Sequence, residues 1–411
     1  MADNSYQFNL FNFDKEHYKI TKPIRLIELF AGIGSQAKAL EVLGVPFEHY
    51  KICEWAYQSI KAYNSIHLKD FADYSANLNK QELIAYLQGN ISTDYNTPCN
   101  VSKKNEQWLR ETYNNCVATH NLMNIMKVKG KDLEIIDTDK YEYVMTYSFP
   151  CQDLSLAGNR RGMATSQADG GTRSGLLWEV ERILDELENK PQILLMENVP
   201  EVIGTKNVEH FNQWLAKLES LGYSNFFQIL NAKDYSIPQN RKRCFMVSIL
   251  GDCAYDFPLK IDLKYRLKDF LEKQVGEKYY LSRNQIERIS NWKAQQNPLK
   301  DIEKEKLISP TITARGAGEE HSGMICISEK MFKEAAKLRI RKLTPTECMR
   351  LMGFEDTDTQ AMYDVGLSNA NIYHCAGDSI VVTCLMGLFG TMLMNEKDLN
   401  TKIKEYVERI S

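Results

Sequence analysis

Tyr143-Val144-Met145-Thr146-Tyr147-Ser148-Phe149-Pro150-Cys151-Gln152-Asp153-Leu154-Ser155 is the stretch on which the reading of this chain turns. Its first five residues are mostly β-branched or aromatic and predict a strand end. Pro150 has a fixed φ and no N–H for a ladder, so the chain leaves the sheet there. Cys151 then falls on a loop just beyond a strand's carboxyl end, the edge where open α/β sheets bind ligands. A thiol so placed is a candidate nucleophile once ionised. A lone cysteine is more often buried and inert, so the reading depends on its company.

Upstream, 24–30 predicts a buried strand, followed by Phe30-Ala31-Gly32-Ile33-Gly34-Ser35 and a helical pattern over 36–43. A strand, a glycine turn and a helix make a crossing at which a nucleotide-like ligand can approach the backbone and meet helix N–H groups. A purely structural glycine turn reads equally well. A second strand, 47–53, ends at Glu54-Trp55. A carboxylate at that position suits the two ribose hydroxyls of an adenosine, and an indole beside it can stack on adenine. Residues 70–119 are polar and Asn-rich and read as an insertion with helical pieces at 81–87 and 106–116.

Downstream, 159–171 is rich in Gly, Arg and Ser and reads as a surface loop or a lid, before a helix opening near Thr172. A buried strand, 192–196, runs into Glu197-Asn198-Val199-Pro200. Burial there would raise the Glu197 pKa and let a protonated carboxyl donate to a ring nitrogen. After a helix at 207–221 and a strand at 223–230 comes Gln239-Asn240-Arg241-Lys242-Arg243, leading into a strand over 244–249. The alternation fades over 260–337. It returns at Thr344-Pro345-Thr346-Glu347, where Thr344 predicts an N-cap, Pro345 the first helical position and Glu347 a capping box.

The totals set bounds. At 411 residues the chain has room for one large domain and a smaller one. An apolar share of 43% and a charged share of 26% are ordinary for a soluble globular protein. The N-terminus shows no signal-peptide core, and the 10 cysteines form no CxxC pair or zinc spacing. A reducing, cytoplasmic setting without a metal is the expectation. A net charge of −3 means that any nucleic-acid surface must be local.

Pro150-Cys151-Gln152 after a strand, with the other blocks in order from about Arg25 to about Met394, resembles the DNA (cytosine-5) methyltransferases of bacterial or phage type. The resemblance implies an α/β fold: a doubly wound Rossmann-like methyltransferase domain with a smaller inserted target-recognition domain. It implies S-adenosylmethionine as cofactor, held by Phe30, Gly32, Ile33, Gly34, Glu54, Trp55, Pro150, Leu176 and Asp378. Asn124-Ile125 is the best match to an acid-containing block that accepts from the adenine amino group, with Asn in place of Asp. Gly377-Asp378-Ser379-Ile380-Val381-Val382 resembles Gly-Asn-Ser-Val and is expected to open a last helix.

For the substrate, the resemblance assigns Cys151 as nucleophile beside Gln152, and Glu197 and Arg243 to the cytosine ring. Arg241 would support the flipped nucleotide through its phosphate. Ser155, Thr311 and Arg315 complete the expected DNA contacts, with Thr311 in Ser309-Pro310-Thr311-Ile312, which resembles a Thr-Leu element. The expected domains are an arm at 1–22, a catalytic domain at 23–259 and 341–411, and a target-recognition domain at 260–340 whose core is 273–337. The expected partner is double-stranded DNA, bound by a monomer, with room for a cognate restriction endonuclease acting separately. An RNA cytosine-5 methyltransferase and a non-catalytic DNA-binding relative are the rival readings; a dinucleotide dehydrogenase lacks any hydride-transfer residue.

Base edges are read by side chains entering a groove, whereas phosphate contacts only set register. Arg283, Arg288 and Arg315 are accordingly the expected bidentate donors to guanine, Arg315 foremost. Replacing a reader by Ala should relax one position of the methylated site by about 1–3 kcal/mol. Sequencing of methylated positions checks this, and an unchanged site in all three variants removes them as readers.

Overall fold

This computed structural model describes residues 15–149, 173–290, 308–314, 324–326 and 340–411. In chain order the elements are β1 (Ile24–Leu29), α1 (Ser35–Leu43), β2 (Phe47–Cys53), α2 (Tyr57–Tyr63), α3 (Lys80–Leu87), α4 (Glu106–Ala118) and β3 (Glu142–Tyr147). Then come α5 (Leu177–Glu186), β4 (Ile193–Asn198), α6 (Val208–Ser220), β5 (Tyr223–Asn231), β6 (Lys242–Leu250), α7 (Arg283–Ser290), β7 (Met324–Cys326) and β8 (Ile340–Lys342). The chain closes with α8 (Pro345–Leu351), α9 (Asp356–Asp364), α10 (Asn369–Asp378), α11 (Val382–Leu393) and α12 (Glu396–Ile410).

Six strands form one sheet in the order β2-β1-β3-β4-β6-β5. The first four run parallel, and β6 and β5 are antiparallel to their neighbours. Of the parallel strands, β1, β3 and β4 are buried almost throughout, as two helical layers require, whereas the edge strand β2 is buried only at its last two residues. On one face α1 packs with α11 and α12; on the other, α5 and α6 cover the sheet. After β1 the chain steps one way to β2 and later returns to β3 on β1's other side. That reversal leaves a crevice beyond the carboxyl ends of β1 and β3.

Register puts the motifs of interest at one level. Leu29 faces both Cys53 and Tyr147, and Tyr147 faces Met196. The residues that follow are Phe30, Glu54, Ser148 and Glu197. The antiparallel β6 begins at the same end, with Asn198 opposite Cys244. Two boundaries therefore differ from expectation: Glu197 and Arg243 lie within strands, because β4–β6 pairing extends that far.

The 70–119 insertion has its own small core. Leu83, Leu87, Ile91, Val101, Leu109 and Cys116 gather against Ile60 of α2. Asn79 caps α3 through a full capping box with Glu82. Thr344 caps α8 as expected, with Pro345 in the first turn. Its partner Glu347 does more than the sequence indicated: fully buried, it is ion-paired with Arg341 at 2.7 Å and accepts from the Glu272 amide at 2.8 Å. The expected last helix is two. Gly377 and Asp378 close α10, and Val382 opens α11. The apolar stretch Asn369–Leu393 that contains both is 83% buried over its most apolar window, as core helices are.

A buried polar chain lies under the glycine turn. Glu28 accepts from the Tyr63 hydroxyl at 2.6 Å, and His49 Nδ1 meets the same hydroxyl at 2.9 Å. A widened turn at Asn64–Leu68 sets His67 between Ile33 O (2.9 Å) and Glu41 (2.7 Å). Both ring nitrogens face acceptors, which favours the protonated ring of His67. Burial opposes that charge, but the Glu41 contact outweighs it and its pKa is raised. Burial, with the His67 charge adding, pushes His49 down to about 4. Burial raises Glu28 to about 7 against the Tyr63 hydrogen bond.

A carboxyl whose pKa is higher folded than unfolded holds its proton longer in the native state. Stability is then greatest below the unfolded value near 4.5 and falls as pH rises to about 7. Glu28→Gln should flatten this fall by about 1–3 kcal/mol between pH 5 and 8. Urea unfolding at both pH values checks it; an identical pH slope in variant and parent refutes the assignment to Glu28.

Candidate functional site

The turn after β1 is built from left-handed backbone. Phe30, Gly32 and Gly34 have φ of 59°, 56° and 75°. Gly32 needs this conformation, and no atom lies within 4 Å of where its Cβ would be, so its open side is bare backbone. Gly34 has a second reason: a Cβ would come 2.4 Å from His67 Nε2. Phe30, strained for an aromatic residue, is tied to β2 by its N–H to Cys53 O at 2.8 Å. Ile33 is buried.

Glu54 stands across this turn. One carboxylate oxygen accepts from the Gly32 amide at 2.9 Å and the other from the Ala56 amide at 2.7 Å. With the Trp55 amide also acting on it, the carboxylate still keeps acceptor capacity for a ligand hydroxyl. Burial raises the Glu54 pKa to about 7, opposed by those amides and aided by nearby Asp378. Trp55 follows and accepts through its carbonyl from the Ser92 amide at 2.7 Å.

Asn121, which no motif flagged, holds this corner. Its oxygen accepts from the Glu54 amide at 3.0 Å and its amide donates to Glu54 O at 2.9 Å. Asn124 is occupied locally: its oxygen accepts from Met126 N at 3.1 Å, and its amide donates to Gly89 O at 2.9 Å. One lone pair on that oxygen is left for another donor. Ile125 and Leu176 lie in the apolar cluster against which Phe30 packs.

At the end of β4, Glu197 pairs with Arg243, Nε to Oε1 at 3.0 Å. Burial raises the Glu197 pKa; Arg243 and then Arg241 oppose it, and Asp378 adds to it. Asn198, beside it, donates to Phe149 O at 3.1 Å and so holds the strand exit that leads to Cys151. Pro150, Cys151, Gln152, Ser155, the 159–171 loop and Arg315 lie outside the described residues, as does the side chain of Arg288. Arg283 is 88% exposed and paired with Glu287.

Arg241 corrects an expectation. It is only 4% exposed. Its guanidinium donates to Ile312 O at 2.7 Å, Gly377 O at 2.9 Å and Ser379 O at 2.7 Å. A fork so occupied and enclosed cannot reach a phosphate; it joins three distant segments. The same contacts explain why α10 stops: a continuing helix would need those carbonyls. Gln239, fully buried, works alongside it, accepting from Ile312 N at 3.0 Å and donating to Leu351 O at 2.7 Å. The Thr311 hydroxyl donates to Asn240 O at 2.7 Å, so Thr311 stands beside Arg241. Gly377 must be glycine, since a Cβ would lie 1.9 Å from Ala314 N. Asp378 carries the side chain after that contact and pairs with His374 at 3.0 Å.

A family model described as C-5 cytosine-specific DNA methylase matches residues 78–393. The type II methyltransferase M2.ScrFI of Lactococcus lactis subsp. cremoris is 36% identical over 91% of this chain and 100% of its own. The orphan methyltransferase M.SssI of Spiroplasma monobiae is 34% identical over 89% of this chain and 96% of its own. Among solved structures, the S. pombe Dnmt2 methyltransferase superposes with a TM-score of 0.61 at 17% identity, covering 90% of this chain and 98% of that one. The Entamoeba histolytica methyltransferase EhMeth gives 0.62 at 17% identity, with coverage of 90% and 98%. These two share the fold.

The bracket reading of Arg241 has a distinct signature. Arg241→Lys keeps the charge but loses the fork, and should cost about 2–4 kcal/mol in unfolding free energy. The salt dependence of DNA binding should keep its slope. A variant of parental stability whose salt slope falls by about one would restore the phosphate contact.

Proposed function

The chain belongs to the C-5 cytosine-specific DNA methylases, and from that membership we propose that it transfers a methyl group from S-adenosylmethionine to C5 of a flipped-out cytosine in a specific duplex sequence, through a covalent adduct of Cys151 at C6. The observation that supports the mechanism best is the Glu197–Arg243 pair at the end of β4, next to the β3 end after which Cys151 follows in sequence.

The residues around the glycine turn fit the cofactor. The bare backbone at Gly32 admits the methionine part, the remaining acceptor capacity of Glu54 suits a ribose hydroxyl, and Trp55 stands next in the chain for the adenine. Asp378, and Glu54 in its ionised form, give the pocket a negative lining, which suits a cationic sulfonium and ammonium. When bound, S-adenosylmethionine supplies the electrophilic methyl group.

Cytosine C5 is a poor nucleophile by itself. Addition of the Cys151 thiolate to C6 breaks the C5–C6 double bond and makes C5 enamine-like. Charge then develops on N3 and O2. Glu197, its pKa raised by burial, can donate to N3 in its protonated form, while Arg243 donates to O2. After methylation a base removes the C5 proton, and β-elimination returns the thiolate. The carbon is enclosed in a duplex, so the base must be flipped out, costing a few kcal/mol of stacking. Thr311, whose hydroxyl is held at Asn240, is assigned the expected backbone contact beside the flipped nucleotide. The same reading gives the 260–340 region sequence recognition and places the monomeric enzyme in the cytoplasm.

Tritium transfer from labelled S-adenosylmethionine to duplex DNA, with transfer RNA as comparator, tests the substrate; label in transfer RNA alone replaces it. Cys151→Ser should abolish transfer and leave cofactor binding intact, because a neutral hydroxyl is a poor nucleophile. Activity within about an order of magnitude of the parent would remove Cys151 from the mechanism.

A further inference from the structure

Tyr95 belongs to the insertion and to none of the blocks discussed so far, yet it stands at the cofactor site. The segment that carries it is stitched to Trp55 and Tyr57: Ser92 N donates to Trp55 O at 2.7 Å, and Tyr57 N to Ser92 O at 2.9 Å. A tight turn follows. Asp94 Oδ1 accepts from the Asn96 amide at 2.9 Å and the Thr97 amide at 2.8 Å, and the Ser92 hydroxyl donates to it at 3.0 Å. Those bonds hold Tyr95 at φ 64°, a conformation an aromatic residue adopts only when its surroundings impose it.

The side chain so placed reaches across to the last block. Its ring lies on that of His374, with centroids 3.7 Å apart, and His374 pairs with Asp378 at 3.0 Å. The residue is partly exposed, but its hydroxyl is buried, and its neighbour among the described residues is the Cys375 thiol, a weak partner, with no oxygen or nitrogen atom in hydrogen-bonding position. After burial, the charges of Cys375, Asp378 and Glu54 and the Cys375 contact raise its pKa, so the hydroxyl lies near both acids. A buried O–H whose neighbour is only a weakly accepting thiol is under-satisfied, and a ligand oxygen would complete it.

We propose that Tyr95 is a cofactor-binding residue contributed by the insertion: its ring, stacked on His374, walls the pocket opposite Glu54, and its hydroxyl hydrogen-bonds the ribose end of the adenosine. The turn at Asp94 fixes the tyrosine beforehand, so little freedom is lost on binding. The insertion then has a function: its core supports a third wall for a pocket whose other walls come from the first and last parts of the chain. This rests on the cofactor reading above.

Calorimetric titration of the full chain with S-adenosylhomocysteine tests it. Tyr95→Phe keeps the stack and removes the hydroxyl, and should weaken binding about three- to ten-fold. Tyr95→Ala removes both and should weaken it more than about ten-fold and speed dissociation. Thermal unfolding of each variant verifies folding. In turnover, KM for S-adenosylmethionine should rise while KM for DNA stays put, a split that general loosening of the insertion would not give. A parent chain that does not bind S-adenosylhomocysteine overturns the cofactor reading itself. Parental affinity in both variants overturns only the role of Tyr95, and weakening by Ala with none by Phe overturns the hydroxyl contact.

Discussion

The guanidinium of Arg241 is the constraint on which the site depends. Three carbonyls converge on it, from Ile312, Gly377 and Ser379, which lie 71, 136 and 138 residues away in sequence. A buried cation needs its donors satisfied, and unpaired carbonyls around an empty space would be as costly. Arginine is the side chain whose planar fork can meet several acceptors at once. Around it Gln239 fastens the 309–312 segment to α8, and Gly377 lets the Thr313–Ala314 backbone pass against α10. The end of α10 and the element carrying Thr311 are thereby fixed to the strand that presents Arg243.

Burial sets the electrostatics that this frame encloses. Glu28, Glu54 and Glu197 all sit where desolvation raises a carboxyl, and each is restrained by a different partner: a tyrosine hydroxyl, backbone amides, and an arginine. Asp378 acts on two of them, Glu54 and Glu197, and so couples the glycine-turn side of the crevice to the Arg243 side.

The insertion is added to the fold without altering its sheet. It hangs from α2 through Ile60 and from the backbone of Trp55, both at the carboxyl end of β2, where any added segment borders the crevice. Its polar, Asn-rich surface concealed this, because the apolar residues that anchor it are few. Asn121, Asn124 and the Asp94 turn use side-chain amides and carboxylates in place of a longer strand, which fits the tendency of Asx residues to bond nearby backbone.

The sequence by itself determined the parallel strands, the glycine turn, the capped helix at Thr344 and the family, because those features rest on local periodicity and short-range chemistry. β-branched runs, left-handed glycines and a Thr-Pro-x-Glu cap act within a few residues and need no partner to be read. The tertiary structure decided the rest. Arg241 read as a phosphate contact until its carbonyls came in from remote segments. Glu347 read as a cap until Arg341 and Glu272 closed on it. Asn121 and Tyr95 carried no signal, since what they touch is far from them in sequence or depends on which helix lies opposite. A long polar side chain has many possible partners along a chain, and only packing selects the ones it meets.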